Sequence, residues 1–386
     1  MLRRLASLLA LLTLVGCSSP TPPPVAERSM RVVGYFPNWG TYARDFQVRD
    51  VAADQLTHLV YAFGEVTDGR CVAGDEWADI KKPIPNGLSG PGSLGGNIGQ
   101  LAKLKAAHPR LKVLWSFGGW SSSAGFTEAA RDPARFADSC AALLNDQRWA
   151  GVFDGIDIDW EYPNACGETC DTSGPDALAA LLTALRPKFP LVSAAVSGDP
   201  GKLRRSDYAA AARQADWLSA MTYDFFGTGG TAGPTAAHSA LTAYPGIPNP
   251  AATADTTVRT LRDLGVPAEK ILLGVGFYGR GWTGVRSPAP GTPGTGPAPG
   301  THQKGLEDYR VLSRRCPPTA TVGGTSYASC GTQWWSYDTP ETIRTKMAYA
   351  RSNALGGAFA WELSGDTRSA TLLRAMNAAL RPPTSE

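Results

Sequence analysis

The sequence has few of the residues that hold metal ions. Only four of its 386 residues are histidines, and none of its seven cysteines forms a Cys-x-x-Cys pair. Protein zinc sites use His and Cys ligands at close, regular spacing. A metal site is therefore not expected. The four histidines are scattered along the chain, at His58, His108, His238 and His302.

A surplus of charge of one sign is also missing. The 37 basic and 34 acidic residues give a formal net charge of +3 at pH 7. Proteins that bind nucleic acid carry basic patches that contact phosphates. Nucleic-acid binding is therefore not expected. A neutral ligand held by stacking fits this balance better, and the 11 tryptophans suit stacking, although most of them could instead belong to the core.

The apolar run at the start of the chain is too short to cross a membrane. Residues 5–15 are apolar except for Ser7 and Thr13, whereas a spanning helix needs about 20 residues. A short apolar run after Arg3 and Arg4 is typical of a signal peptide. We therefore expect residues 1–16 to direct export and residues 17–29, which are rich in proline, to form a polar tether.

The end of the apolar run, Leu14-Val15-Gly16-Cys17, resembles a bacterial lipobox. Cleavage before Cys17 would leave its thiol to carry diacylglycerol, so that the protein would be extracellular or held at the cell surface. The alternative is a plain secretory signal followed by an incidental cysteine. In either case, contact with a membrane is expected only through this lipid.

Six further cysteines suit an exported chain. An even number in an oxidising compartment suggests three disulfides, although six cysteines allow many pairings. Proximity along the chain favours two pairs and leaves the third by elimination. The predicted disulfides are Cys166–Cys170, Cys316–Cys330 and Cys71–Cys140.

The most informative stretch is residues 153–163, Phe-Asp-Gly-Ile-Asp-Ile-Asp-Trp-Glu-Tyr-Pro. Acidic residues alternate with apolar ones, which predicts a β-strand. Asp157, Asp159 and Glu161 share one face of such a strand, and Asp154 is out of phase near its start. The alternative is a solvated edge strand with an acidic face.

Enclosing this column of carboxylates would change their protonation. Three carboxylates in a row repel one another, so that at least one would keep a proton at neutral pH if water were excluded. A protonated carboxyl group beside ionised ones is what general acid catalysis requires. The stretch therefore indicates a catalytic site.

Strand-like runs alternate with helical ones along most of the chain. Besides the acidic stretch, the predicted strands are residues 31–35, 56–63, 112–116, 191–196, 218–223, 271–276 and 357–361. Eight strands that alternate with helices indicate either a parallel α/β barrel or an open α/β sheet.

The acidic motif, Asp154-x-x-Asp157-x-Asp159-x-Glu161, resembles the signature of glycoside hydrolase family 18, the chitinase family. The likeness extends over residues 32–366. It implies an α/β fold, and of the two alternatives it favours the (β/α)8 TIM barrel over the open sheet. It implies that the acidic stretch is the fourth strand, with the active site at the C-terminal ends of the strands. The expected domains are a barrel of residues 30–280 and 337–381 and a small α+β insertion of residues 281–336.

The resemblance also implies roles for individual residues. It assigns catalysis to Glu161, Asp159, Asp157 and Tyr223, and a structural role to Asp154. It assigns substrate binding to Tyr35, Phe63, Ser116, Gly118, Gly119, Trp120, Tyr162, Met221, Asp224, Tyr278, Arg280 and Trp361. Without the resemblance, Met221 and Tyr223 would be interpreted as core residues on one face of a strand. Trp361 would be interpreted as a buried core residue.

The family implies hydrolysis of β-1,4 bonds between N-acetylglucosamine units with retention, by substrate-assisted catalysis through an oxazolinium ion. Chitin or chitooligosaccharides would be the partner, without a cofactor, and the protein would be a monomer. The alternatives are an endo-β-N-acetylglucosaminidase or a peptidoglycan hydrolase of the same family. A non-catalytic chitin-binding lectin is a further alternative, but such lectins typically lack the terminal Glu or an inner Asp.

Overall fold

The computed structural model of the protein describes residues 30–84, 94–228 and 233–381. The predicted signal peptide, Cys17 and the tether lie outside these residues. In the described part of the chain, no helix has both the length and the apolar character that a membrane crossing requires.

Eight parallel strands form a closed barrel within the described residues. Each strand pairs with its neighbour in chain order, and the first pairs with both the second and the eighth, which closes the ring. The predicted barrel is confirmed and the open sheet is excluded. Labelled β1 to β8, the strands span Arg31–Pro37, His58–Thr67, Lys112–Gly118, Gly155–Asp159, Leu191–Val196, Trp217–Ala220, Ile271–Gly276 and Gly357–Trp361. A short strand, Arg70–Val72, extends β2 as a hairpin.

The acidic strand β4 is buried along its whole length and pairs on both sides, with β3 and β5. The edge-strand alternative is therefore excluded. Ile156, Ile158 and Trp160 belong to the apolar layer between the barrel and its helices. Asp157 and Asp159, on the opposite face of the strand, are 0% and 5% exposed. The period-two pattern thus places the carboxylates inside the barrel.

Helices cover the outside of the barrel. The helix Pro133–Leu144 shows how the sequence sets their limits: Asp132 caps it by accepting the Arg135 N–H at 3.0 Å, and Pro133 occupies its first turn. The helices span Gly96–Ala107, Phe126–Ala129, Pro133–Leu144, Ala177–Leu185, Pro200–Leu203, Tyr208–Gln214, Ala254–Asp263, Tyr309–Arg315, Pro340–Ser352 and Thr371–Leu380. Short 3₁₀ turns occur at Asn38–Thr41, Val48–Asp50, Ala53–Gln55, Gln147–Trp149, Ala268–Lys270 and Leu363–Gly365, and one π-helical turn at Trp77–Lys81.

A second, antiparallel sheet lies between β7 and β8. It begins at Tyr278, before the predicted boundary at residue 281, because the glycine-rich segment Tyr278–Thr283 is an interior strand that pairs with three others. Gly281 permits this pairing, since a Cβ there would lie 2.3 Å from the ring of Trp335. The strands of this sheet are Tyr278–Thr283, Gly296–Pro297, Leu306–Asp308, Ala320–Val322, Thr325–Cys330 and Gln333–Tyr337.

The three predicted disulfides are confirmed. They join residues 69, 4 and 14 positions apart along the chain. The pairs are Cys71–Cys140, Cys166–Cys170 and Cys316–Cys330.

Candidate active site

A cleft of about 820 Å³ crosses the C-terminal ends of the barrel strands. This is the end at which barrel enzymes bind their substrates. The predicted site residues that line the cleft are Phe63, Gly118, Gly119, Trp120, Asp159, Glu161, Tyr162, Met221, Tyr223, Asp224, Arg280 and Trp361.

Four predicted site residues lie beneath the cleft rather than in its lining: Tyr35, Ser116, Asp157 and Tyr278. All four are less than 5% exposed. Tyr35, Ser116 and Tyr278 therefore do not line the cleft, and direct contact between them and a substrate stays a prediction. The Tyr35 ring lies 5.7 Å from that of Trp361, the Tyr278 ring lies 6.3 Å from that of Tyr223, and Ser116 bonds to Asp157.

Asp157 is the centre of a buried hydrogen-bond cluster. Its carboxylate accepts hydrogen bonds from Tyr35 at 3.0 Å, from Ser116 at 2.7 Å and from Ser193 at 2.6 Å. Burial raises the pKa of Asp157, and the three hydroxyl donors oppose that rise. Ser116 was among the predicted site residues, whereas Ser193 was not.

Asp159 lies above Asp157 and is the least satisfied acid of the column. Its Oδ1 atom is buried and has no hydrogen-bond partner among the described residues. Burial, followed by the charges of Glu161 and Asp157, raises the pKa of Asp159 well above its usual range. An acceptor left unpaired in a cleft lining is costly by itself and is suited to a donor supplied by a ligand.

Glu161 lies two residues beyond the end of β4. Its N–H donates to the Ser123 hydroxyl at 2.9 Å instead of to a neighbouring strand. That hydroxyl in turn is 2.9 Å from the Gly119 carbonyl and 3.2 Å from the Asp159 carbonyl, to which it can donate. Ser123 therefore joins the ends of β3 and β4 and turns the chain so that Glu161 reaches the cleft.

The environment of Glu161 holds its carboxyl group ready to give or take a proton at neutral pH. Burial raises the pKa of Glu161 to about 7, while the Tyr162 hydroxyl and the Lys202 ammonium act in the opposite direction. Lys202 lies over the Tyr162 ring, with its Nζ 4.0 Å from the ring centre. A side-chain acid with this pKa can serve as general acid and then as general base.

Gly118 and Gly119 bring the end of β3 close to its neighbours. Both have positive φ angles, +109° and +88°. A Cβ on Gly118 would lie 2.2 Å from the Asp159 carbonyl oxygen, and one on Gly119 would lie 2.7 Å from the Phe63 ring. The Gly119 N–H donates to the Asp159 carbonyl at 2.8 Å. Both positions therefore require glycine.

Aromatic rings form one side of the cleft. The Phe63 and Trp361 rings stack at 5.6 Å, and Trp39 packs 6.0 Å from Phe63 and 6.2 Å from Trp361. Trp39 and Trp120 are 39% and 53% exposed, which leaves ring faces open to a ligand. Trp361 is only partly buried. The alternative that it is a buried core residue is therefore excluded.

The segment after β6 differs from its predicted form. The strand ends at Ala220, so Met221 and Tyr223 lie on a loop and not on one strand face. The Thr222 hydroxyl donates to the Gly274 carbonyl at 2.7 Å, and Asp224 has a φ of +57°. These two features turn the chain across the top of the barrel, where Met221, Tyr223 and Asp224 line the cleft.

Asp224 is fixed by a charged partner. Arg280 donates to its carboxylate with two bonds of 2.7 and 2.6 Å, and His238 lies 3.6 Å away. Although burial acts in the opposite direction, the Arg280 guanidinium and His238 hold the pKa of Asp224 well below its usual range. Tyr278 packs behind this group, 5.3 Å from the His238 ring and 6.3 Å from the Tyr223 ring.

Asp154 is outside the cleft, as its phase on the strand predicts. Its carboxylate accepts the Val113 N–H at 2.9 Å and lies 2.7 Å from Lys105 Nζ and 3.5 Å from Lys112 Nζ. These contacts fasten the start of β4 to β3 and to the helix Gly96–Ala107.

Several residues of the site were not predicted. Ser123, Ser193, Lys202 and His238 are single polar residues on four different segments. No local pattern distinguishes such residues from solvated ones, and only the closed barrel brings them to the acids. Trp39 follows the predicted site residue Tyr35 by four positions and could have been found from that neighbourhood.

The chain is similar in sequence and in structure to known glycoside hydrolases. The family model described as "Glycosyl hydrolases family 18" matches residues 31–366. Chitinase 63 of Streptomyces plicatus is 49% identical over 94% of this chain, and Chitinase C of Streptomyces lividans is 51% identical over 87%. The matches span only 62% and 57% of those two relatives.

A solved chitinase structure of nearly the same length is similar to this chain in fold. The catalytic domain of psychrophilic chitinase B from Arthrobacter TAD20 superimposes with a TM-score of 0.85 at 31% identity. The match covers 92% of this chain and 96% of that domain.

Proposed function

This chain belongs to glycosyl hydrolase family 18, and from that premise we propose that it is a chitinase. It would hydrolyse β-1,4 bonds between N-acetylglucosamine units and retain the configuration at the anomeric carbon. The proposal rests on the column of acids that leads into the cleft: Asp157 lies beneath it, and Asp159 and Glu161 line it. The pKa of Glu161, about 7, suits a proton donor.

In the first step, Glu161 protonates the glycosidic oxygen of the departing sugar. The acetamido oxygen of the sugar on the other side of the bond attacks the anomeric carbon and forms an oxazolinium ion. The unpaired Oδ1 of Asp159 would accept the acetamido N–H, and the Tyr223 hydroxyl would donate to the acetamido oxygen. This pairing supplies a partner for a buried acceptor that has none among the described residues.

The positive charge of the oxazolinium ion is matched by Asp159. In the free site, burial and neighbouring charges favour a protonated Asp159. When the cation forms, Asp159 ionises, and Asp157 beneath it takes up the proton. Three hydroxyl donors hold Asp157 in place for this exchange.

In the second step, the ionised Glu161 removes a proton from a water molecule, which opens the oxazolinium ring. Glu161 thereby regains its proton, and no group on the protein forms a bond to the sugar. Trp361, stacked on Phe63, would lie under the sugar ring at the cleaved bond.

The substrate is tested by product analysis. The N-acetylglucosamine hexamer, an N-glycan on a glycoprotein and peptidoglycan are incubated with the protein in parallel. A chitinase is expected to cut the hexamer into shorter oligomers faster than it releases products from the other two. Preferred release from the glycoprotein would indicate an endo-β-N-acetylglucosaminidase, and preferred release from peptidoglycan a peptidoglycan hydrolase. Binding of the hexamer without cleavage would indicate a lectin.

Lys202 gives a testable pH dependence. Its ammonium favours the ionised form of Glu161, so the Lys202→Gln substitution should raise the pKa of Glu161. Because catalysis needs protonated Glu161, the basic limb of the kcat/KM profile should move up by roughly half a pH unit. Lys202→Arg keeps the positive charge and should leave the limb near its wild-type position. A basic limb that stays in place in Lys202→Gln would contradict this role.

We also propose that the protein is exported. Three disulfides are typical of proteins in oxidising compartments. The lipobox-like sequence further suggests anchoring through Cys17. Because the cleft described above is lined by residues of a single chain, we propose a monomer, which light scattering would test.

The lipid anchor predicts where the protein fractionates in bacterial cells. Two acyl signals hold a protein on a membrane stably, whereas one holds it only marginally. Wild-type protein is expected in the membrane fraction, and Cys17→Ser in the soluble fraction. If both proteins fractionate alike as soluble, Cys17 carries no lipid.

A further inference from the structure

The loop of residues 162–171 follows the proton donor directly and closes on itself. Cys166 and Cys170 are joined by a disulfide, and the Gly167 N–H donates to the Thr169 carbonyl at 2.9 Å. At the base of the loop, the Asp171 N–H donates to the Ala165 carbonyl at 3.0 Å. The disulfide thus closes a small, tightly folded loop next to Glu161.

This loop is pressed against the backbone of Glu161. A Cβ built on Gly167 would lie 2.2 Å from the Glu161 carbonyl oxygen. Gly167 does not need a positive φ angle, so the close approach alone requires glycine at this position. Any displacement of the loop tip therefore acts on the peptide that joins Glu161 to Tyr162.

The base of the loop is anchored independently of the disulfide. The Asp171 carboxylate accepts bonds from the Thr127 hydroxyl at 2.8 Å and from the Asn164 N–H at 2.7 Å. The Ser206 hydroxyl donates to the Pro163 carbonyl at 3.0 Å. Losing the disulfide would therefore free the tip, which contacts Glu161, while the base stays attached to the barrel.

The disulfide is poorly suited to a role in global stability. In the loop-entropy model, stabilisation grows with the length of chain that a disulfide closes. Cys166–Cys170 spans 4 positions, compared with 14 for Cys316–Cys330 and 69 for Cys71–Cys140. Of these three disulfides, it is also the one in which both cysteines are exposed.

We propose that Cys166 and Cys170 are positioning residues for the proton donor, and that reduction of their disulfide lowers turnover without unfolding the barrel. The inference rests on the proposed function, because it assigns Glu161 the role of general acid. In the reduction, a dithiol gives two electrons and two protons to the Cys166–Cys170 bond. Two protein thiols form, and the dithiol becomes a cyclic disulfide.

A test of this role compares substrates that differ in their need for a proton. The N-acetylglucosamine tetramer has a poor leaving group that needs protonation by Glu161. An aryl chitobioside with an acidic phenol needs little protonation. Small misplacement of a catalytic group can cost up to ~10²-fold. For C166S/C170S we therefore expect kcat on the tetramer to fall ~10-fold or more and kcat on the aryl substrate to fall less than ~3-fold.

Two further variants and a dithiol treatment of the wild type keep the test decisive. C316S/C330S removes a disulfide of the second sheet and should leave the ratio of the two rates unchanged. Gly167→Ala keeps the disulfide but pushes on the Glu161 carbonyl, and should lower the tetramer rate selectively, as C166S/C170S does. Wild-type protein treated with a dithiol should lose tetramer activity at an unchanged melting temperature and regain it on reoxidation, whereas C166S/C170S should not respond.

The outcomes separate the inference from the function on which it rests. If the wild type cleaves neither substrate, the proposed function fails. If the wild type cleaves both, but C166S/C170S and Gly167→Ala leave the rate ratio unchanged or lower both rates equally, the positioning role is overturned. If C166S/C170S does not fold, the positioning role is tested with Gly167→Ala and with dithiol-treated wild type. The measured quantity is again the ratio of the tetramer rate to the aryl-substrate rate.

Discussion

Replacing Glu161 with glutamine is expected to lower kcat on an unactivated N-acetylglucosamine oligomer by ~10²–10⁴-fold, the usual contribution of a general acid. Glutamine preserves the shape of the side chain but cannot release a proton to the glycosidic oxygen. Oligosaccharide binding should therefore persist, since the aromatic rings of Trp39, Phe63 and Trp361 are unchanged. The measurement is kcat on the tetramer together with calorimetric binding of the same tetramer.

Asp154→Asn provides a matched control in the same acidic stretch. Asp154 contacts Lys105 and the Val113 N–H outside the cleft. Its replacement should lower the melting temperature while kcat remains near the wild-type value. An E161Q protein that hydrolyses the tetramer as fast as the wild type would overturn the assignment of the proton donor.

Asp159→Asn is expected to lower kcat by ~10²–10³-fold, which is the usual cost of removing one electrostatic contact to a transition state. The positive charge on the sugar appears only as the glycosidic bond breaks. The loss should therefore fall on kcat much more than on binding of the unreacted substrate. Kinetics on the tetramer, with binding measured in an E161Q background, separates the two effects.

A stable thiazoline analogue of the oxazolinium ion extends this prediction. It resembles the intermediate that the site stabilises, so it should inhibit wild-type protein more strongly than a substrate-like sugar of equal size. Its inhibition constant should rise in Asp159→Asn, which loses the negative partner, and in Tyr223→Phe, which loses the hydroxyl donor. Equal inhibition of all three proteins would contradict the roles of Asp159 and Tyr223.

The sequence predicts the acidic strand well because its pattern is local. Alternation of Ile156, Asp157, Ile158 and Asp159 is enough to assign a strand and its two faces. The choice of a closed barrel over an open sheet could not come from that pattern. Closure depends on pairing between β1 and β8, which lie at opposite ends of the fold's sequence. The family resemblance supplied this information.

The depth of a side chain below the cleft could not be predicted from the sequence. Ser116 and Tyr278 are buried and lie outside the cleft lining, although their neighbours Gly118 and Arg280 belong to it. A period-two pattern gives the face of a residue, but depth depends on where each strand ends. Those ends are set by contacts from distant segments, such as the bond from Glu161 N–H to Ser123 and that from Thr222 to Gly274.

The most direct test of the account measures how the rate depends on the substrate's own acetamido group. Aryl chitobiosides with zero, one, two or three fluorine atoms on the N-acetyl group next to the cleaved bond differ chiefly in the nucleophilicity of the carbonyl oxygen. If that oxygen attacks the anomeric carbon, log kcat/KM should fall steeply and steadily with each added fluorine. A rate that is nearly independent of fluorination would show that an enzyme carboxylate is the nucleophile, and would contradict the substrate-assisted mechanism.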